Sequence, residues 1–218
     1  MFNFAVKLFT MSAEKREQIL DAAEELFGHL GFEGTSIRAL SLKAGVNIAM
    51  VSYYFGSKEK LFQALVERRA GATTMALKFI NAKEHAPWKK IELVIDHYVD
   101  KIFGNVGFQR IMYRELSLDQ RGWITEAIMD IILQNTREMS SIIEEGIKKK
   151  VFRKVDAELT VVTLVGTISK PTLCSILSCR IIGDKGTKAS ITDETNKKRV
   201  KKHLHDLMKA HLTPALKG

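Results

Sequence analysis

A chain of 218 residues with 45% apolar content can fill one large or two small domains with a buried core, which excludes a disordered or fibrous protein. Three prolines and little strand-like alternation exclude a sheet protein and point to an all-α chain. The formal charge of +9 permits nucleic acid without locating it: the net is +1 over residues 1–70, −2 over 71–147 and +10 over 148–218.

In chain order, residues 1–11 are apolar, short and without a small-residue cleavage site. They read as a flexible N-terminal extension, with Met11 an alternative start. Ser12 can cap a first helix over 12–31, whose stripe of Ile19, Ala23, Leu26, Phe27 and Leu30 faces a core and which Gly31 ends. Thr35 can cap a second, short helix with Ile37, Leu40 and Ala44 on one face. Gly45 supplies a left-handed residue to close it. Asn47 caps a third helix, with Val51 and Tyr54 inward. The small Ser41 allows the two helices to cross closely. Two short helices joined by a tight glycine turn form a helix-turn-helix, whose second helix enters the major groove.

Ser57 caps a fourth helix running to about Asn81, with Leu61, Phe62, Leu65 and Val66 on its apolar face. Pro87 suits the first turn of a fifth, carrying Trp88, Ile91, Val94, Ile95, Tyr98, Ile102 and Phe103, which Gly104 and Gly107 break. A short helix over Phe108–Leu116 and a long one from Trp123 to about Lys149 follow. Lys148, Lys149 and Lys150 suit the negative end of the long helix dipole. Asp156 caps a helix reaching about Ile182 with a kink at Pro171, and a polar loop spans 183–190. The last helix, Asp193–Leu212, carries Val200, Leu204, Leu207 and Met208 on one face, with a basic cluster and His203, His205 and His211 on solvated faces.

Gly45-Val46-Asn47, then Tyr53-Tyr54-Phe55, then Lys58 and Leu61, resemble the DNA-binding signature of the TetR (TetR/AcrR-type) family of bacterial transcriptional regulators. The common form of that signature has Tyr where this chain has Ser52 and often His where it has Tyr54. The resemblance spans residues 12–62. It implies a three-helix DNA-binding domain over 12–56 joined to a larger helical effector-binding and dimerisation domain over 57–218. The implied function is a ligand-responsive regulator, a repressor that binds a palindromic operator as a homodimer, paired through the last two helices, and is released by a small molecule.

Candidate DNA contacts are Thr35, Ser36, Asn47, Ile48, Ala49, Met50, Ser52, Tyr53 and Lys58. The resemblance makes Tyr53 and Lys58 backbone anchors and Asn47–Met50 groove readers. Ile48, Ala49 and Met50 can touch thymine methyls but cannot form bidentate hydrogen bonds, so apolar contact and DNA shape would carry specificity. The implied effector pocket has Tyr98, Phe103, Phe108, Met112, Trp123, Ile128 and Ile132 as candidate lining, suited to an apolar or aromatic molecule.

Other chemistry finds little support. Cys174 and Cys179 point roughly 140° apart on one helix and cannot bridge. A reducing, cytoplasmic setting fits. Asp96 and Asp100 share a helix face, but His97 points elsewhere, so no metal site is expected. No triad order, phosphate loop or Cys/His spacing appears, and neither a cofactor nor catalysis is expected. The apolar run 159–182, broken by Lys170 and Pro171, reads as a buried helix rather than a membrane span. The alternatives are a helical-bundle enzyme using Asp96, Asp100 and Glu115, and a helical adaptor without DNA contact.

Overall fold

The computed structural model describes residues 2–118, 122–173, 180–181 and 193–215, and for residues 2–11 and Ala127 the backbone alone. The described residues form helices α1 (Phe2–Gly34), α2 (Ile37–Lys43), α3 (Ile48–Phe55), α4 (Lys58–Ala82), α5 (Pro87–Gly104), α6 (Val106–Leu118), α7 (Gly122–Lys148), α8 (Ala157–Leu173) and α9 (Glu194–Leu212), with no strand among them. Two compact units result. The first contains residues 1–71 and 110–128, the second 72–109 and 129–218.

Helix α1 departs from the expected 12–31. It begins at Phe2, because no glycine precedes Gly28 and no proline interrupts the segment, so Ser12 lies inside the helix rather than capping it. Gly31 has φ 75 and ψ 175, which places the kink where the glycine predicted an end. In the first unit Ile19, Ala23 and Phe27 of α1 are buried with Leu61, Phe62 and Leu65 of α4, whereas Leu30 is exposed. Phe27, Phe32 and Phe62 stack or meet edge-to-face with centroids 5.4–5.6 Å apart. Trp123 of α7 joins them, 5.8 Å from Phe32. Arg68 of α4 bonds Glu17, Asp21 and Glu24 of α1 at 2.8–3.0 Å, and Arg69 bonds Glu24 at 2.7 Å. Burial pushes the Arg68 guanidinium towards neutrality, but these carboxylates more than reverse that.

The second unit packs α5, α8 and α9 around Ile95, Val99, Ile168 and Leu204, all fully buried. Pro87 opens α5, and Asn105 rather than Gly107 marks the next boundary: its side chain accepts from Phe108 N at 2.9 Å, so α6 starts earlier than expected. Helix α7 ends at Lys148 with Lys150 left-handed (φ 58), and Phe152 folds back over Gly146, where a Cβ would lie 2.0 Å from its ring. Asp156 caps α8, accepting from Leu159 N at 2.9 Å, and α8 runs through Pro171 to Leu173. Asp193 caps α9, accepting from Asn196 N at 2.7 Å. Cys174, Cys179 and the loop at 183–190 lie outside the described residues.

The charged face of α9 is less solvated than its composition suggests. Lys197 and Lys201 bond Asp100 at 3.0 and 2.9 Å, and His205 lies 3.5 Å from Asp96. His211 is held between Thr160 (3.1 Å) and Arg153 (3.2 Å), leaving only His203 of the three exposed. Asp96 and Asp100 are therefore ion-pair partners. Burial pushes the Asp100 carboxyl up, but the bonds from Lys201 and Lys197 outweigh it and hold the group below its ordinary value.

Candidate nucleic-acid interface

The reading surface is built by caps at both ends of two short helices. Ser36 has extended backbone and its hydroxyl accepts from Ala39 N at 3.1 Å, so it is the cap of α2. Thr35, expected in that role and as a DNA contact, is instead fully buried. Its hydroxyl donates to Gly31 O at 2.8 Å and braces the kink of α1. A side chain enclosed in this way cannot meet a duplex. Gly45 has φ 64 and turns the chain after α2, where Val46 N donates to Ser41 O at 3.0 Å. Ser41 is buried, as a close helix crossing requires.

Asn47 caps α3: its side-chain oxygen accepts from Met50 N at 2.8 Å. Val51 and Phe55 point into the core at 1% and 7% exposure. Tyr54 is half-buried and its hydroxyl donates to Ser12 Oγ at 3.3 Å, tying the end of α3 to α1. On the opposite side Asn47, Ile48, Ala49, Ser52 and Tyr53 are exposed, Met50 half so, and Tyr53 reaches 83%. Gly56 (φ 77) closes α3, and Ser57 accepts from Lys60 N at 3.2 Å to cap α4.

Lys58 has a second task. Its ammonium donates to the carbonyls of Phe32 (3.0 Å) and Thr35 (3.1 Å) and sits 4.3 Å from the Phe32 ring centroid. It clasps the segment between α1 and α2, a role that spacing alone does not reveal. Reading by residue type also passed over Arg38, an exposed cation in the first turns of α2. Its position between the inward Ile37 and Leu40 was the available signal. Lys43, by contrast, is paired with Glu25 at 2.5 Å.

Residues 19–65 match the family described as "Bacterial regulatory proteins, tetR family". Those residues carry the helix-turn-helix of that family. That is a family of transcriptional regulators rather than enzymes, and the helix-turn-helix is its DNA-binding part. The chain is 27% identical over 142 residues to "Probable HTH-type transcriptional regulator YttP" of Bacillus subtilis strain 168, covering 64% of this chain and 68% of that protein. It is 48% identical to the HTH-type transcriptional repressor NicS of Pseudomonas putida over 52 residues, which span 24% of each chain. The fold extends further than the sequence similarity. The TetR-family regulator PfmR of Thermus thermophilus superposes with a TM-score of 0.68 at 17% identity, covering 90% of this chain and 99% of that one. The regulator FadR of Bacillus subtilis, solved with stearoyl-CoA, has a TM-score of 0.66 at 19% identity, covering 86% and 96%.

The residues expected to line an effector pocket divide between the units. Tyr98, Phe103, Phe108 and Ile132 belong to the second, Met112, Trp123 and Ile128 to the first. All are buried except Trp123 and Ile132. The second unit has a cleft of about 60 Å3 lined by Trp88, Ile91, Glu92, Ile95, His205, Asp206, Met208 and Lys209, none of them expected lining residues. Among the described residues no helix is long and apolar enough to cross a membrane, and no group of three or more His, Cys, Asp or Glu could hold a metal ion.

Proposed function

We infer that this chain is a ligand-responsive repressor working in the cytoplasm, two copies binding a palindromic operator with recognition helices about 34–36 Å apart. Residues 12–56 would serve as the DNA-binding part and 57–218 as the effector-binding and dimerisation part. The observation that carries this reading is the outward face of α3: Asn47, Ile48, Ala49, Ser52 and Tyr53 are exposed while Val51 and Phe55 anchor the helix from behind. Ser36, Met50 and Lys58 complete the proposed contact set, with Lys58 acting mainly through the segment it clasps.

Pairing through the last two helices is supported unequally by them. Helix α8 turns Leu159 (64% exposed) and Val162 (61% exposed) outward on one face with Gly166, where an added Cβ would meet nothing within 4 Å. Such a face can approach its own copy closely. The outward groups of α9 include Lys198, Lys202, His203 and Lys209, which would repel their counterparts. The apolar contribution is therefore assigned to α8.

Buried polar atoms without a hydrogen-bond partner support an effector site in the second unit: Thr73 Oγ1, His97 Nε2, Ser140 Oγ and Ser169 Oγ. Groups of this kind ordinarily find water or a ligand. Burial, reinforced by Lys101 and opposed by Asp100, holds the His97 imidazole below its ordinary value and so keeps it neutral. An apolar or aromatic effector with a polar atom suits such surroundings.

The test is selection of duplexes from a random library, followed by gel shifts at several salt concentrations. A palindromic sequence bound specifically, with affinity falling as salt rises, is the expected result. If no sequence is enriched, and the DNA flanking its own gene is not retained, the reading fails.

A further inference from the structure

The reading face of α3 is unusual in what it lacks. No Arg, Lys, Gln, Glu or Asp occurs anywhere in Ile48–Phe55, so none of the long side chains that pair with base edges is available. Asn47 is the one amide beside it. Bidentate recognition of adenine needs both its oxygen and its nitrogen, but the oxygen is already accepting from Met50 N at 2.8 Å. Releasing it would uncap the helix. The Tyr54 hydroxyl is turned to Ser12. Ser52 and Tyr53 keep hydroxyls that both donate and accept, and so discriminate poorly between bases. What the first turn of α3 presents is Ile48 at 49% exposure, Ala49 exposed and Met50 half-exposed: three saturated surfaces side by side.

The C5-methyl group is the apolar feature of the major groove. Resting on the DNA-binding reading above, we propose that Ile48, Ala49 and Met50 recognise the C5-methyl group itself rather than the base that bears it. Saturated carbon has no hydrogen-bonding preference, so it cannot tell the O4 of thymine from the N4 amino group of 5-methylcytosine. Both bases place a methyl at the same edge of the pyrimidine. The recognised chemistry is thus a C5-methylpyrimidine, and a cytosine at a contacted position becomes acceptable when methylated. Arg38, on α2, is the exposed cation suited to guanine or phosphate and lies outside this three-residue surface.

The experiment uses the full-length protein and the duplex enriched from the random library, with each pyrimidine under the recognition helices synthesised in turn as thymine, uracil, cytosine or 5-methylcytosine. Uracil for thymine should weaken binding about fourfold per contacted methyl, the value for burying one such group. 5-Methylcytosine should bind more tightly than cytosine by a similar factor at the same position. Ile48→Ala and Met50→Ala, at side chains outside the core, should each shrink the thymine-to-uracil ratio while leaving the circular dichroism spectrum unchanged. Equal binding of thymine and uracil everywhere overturns the proposal in favour of DNA shape. A loss with uracil but no gain on cytosine methylation overturns it in favour of thymine read through its O4 as well as its methyl. Ratios unchanged in both variants overturn the assignment to these residues. Failure to enrich any duplex sinks the DNA-binding reading itself, a result distinct from the other three.

Discussion

Helix α3 and helix α9 are opposites in chemistry. The first, Ile48–Phe55, contains no charged residue, whereas the second, Glu194–Leu212, has six lysines and arginines against two acids. A search for nucleic-acid binding guided by charge alone would select α9. Yet two of its lysines are committed to Asp100, and its apolar side fills the core of the second unit. The contrast teaches that net charge reports how a surface is solvated and paired, while sequence-reading depends on which atoms a capped helix turns outward.

The comparison can be broken hardest at Leu204. This residue, on the apolar face of one of the two helices expected to pair, is fully buried within its own chain. Leu204→Asp should cost roughly 4 kcal/mol or more through lost packing and a buried charge. The expected outcome is loss of the cooperative melt rather than a folded monomer. Leu159→Asp, on the exposed face of α8, should instead give a folded monomer, checked by light scattering together with circular dichroism. An unchanged dimer would move the interface elsewhere.

Smaller effects sharpen the contrast between the two helices. Tyr53→Ala should weaken operator binding about fivefold, the worth of roughly one hydrogen bond, by gel shift. Arg38→Ala should lower the slope of log affinity against log salt by about one, while Lys198→Glu with Lys202→Glu on α9 should leave that slope unchanged. The smallest effect is expected at Asp100. Its carboxyl is held below its ordinary value, so its pairing with Lys197 and Lys201 stabilises the fold fully above the ordinary carboxylate pKa. That contribution disappears as pH falls through the lower folded value. Asp100→Asn should therefore flatten the acid limb of melting temperature against pH and lower the melting temperature slightly at neutral pH.

Much of the reading unit was legible because its signals are local. Gly45 needs a positive φ, Asn47 and Ser57 cap the helices that follow them, and Val51 faces inward, each readable within a few residues. The error at Thr35 has the same origin. Two adjacent hydroxyls are both acceptable caps, and only the kink at Gly31, which offers its carbonyl to Thr35, leaves Ser36 to cap α2. Lys58 was legible as a basic residue at a familiar spacing, but its bonds to Phe32 and Thr35 span 26 and 23 residues of sequence.

By itself the amino-acid sequence determined the helical class, most helix boundaries and the turn between α2 and α3, since period, caps and glycine turns act over one or two helical turns. Tertiary structure alone decided that residues 110–128 join the first unit through Trp123, that Asp100 of α5 pairs with Lys197 and Lys201 of α9, and that Leu204 is core rather than interface. These outcomes depend on which amphipathic faces meet, and a helix's own periodicity marks an apolar face without naming what covers it.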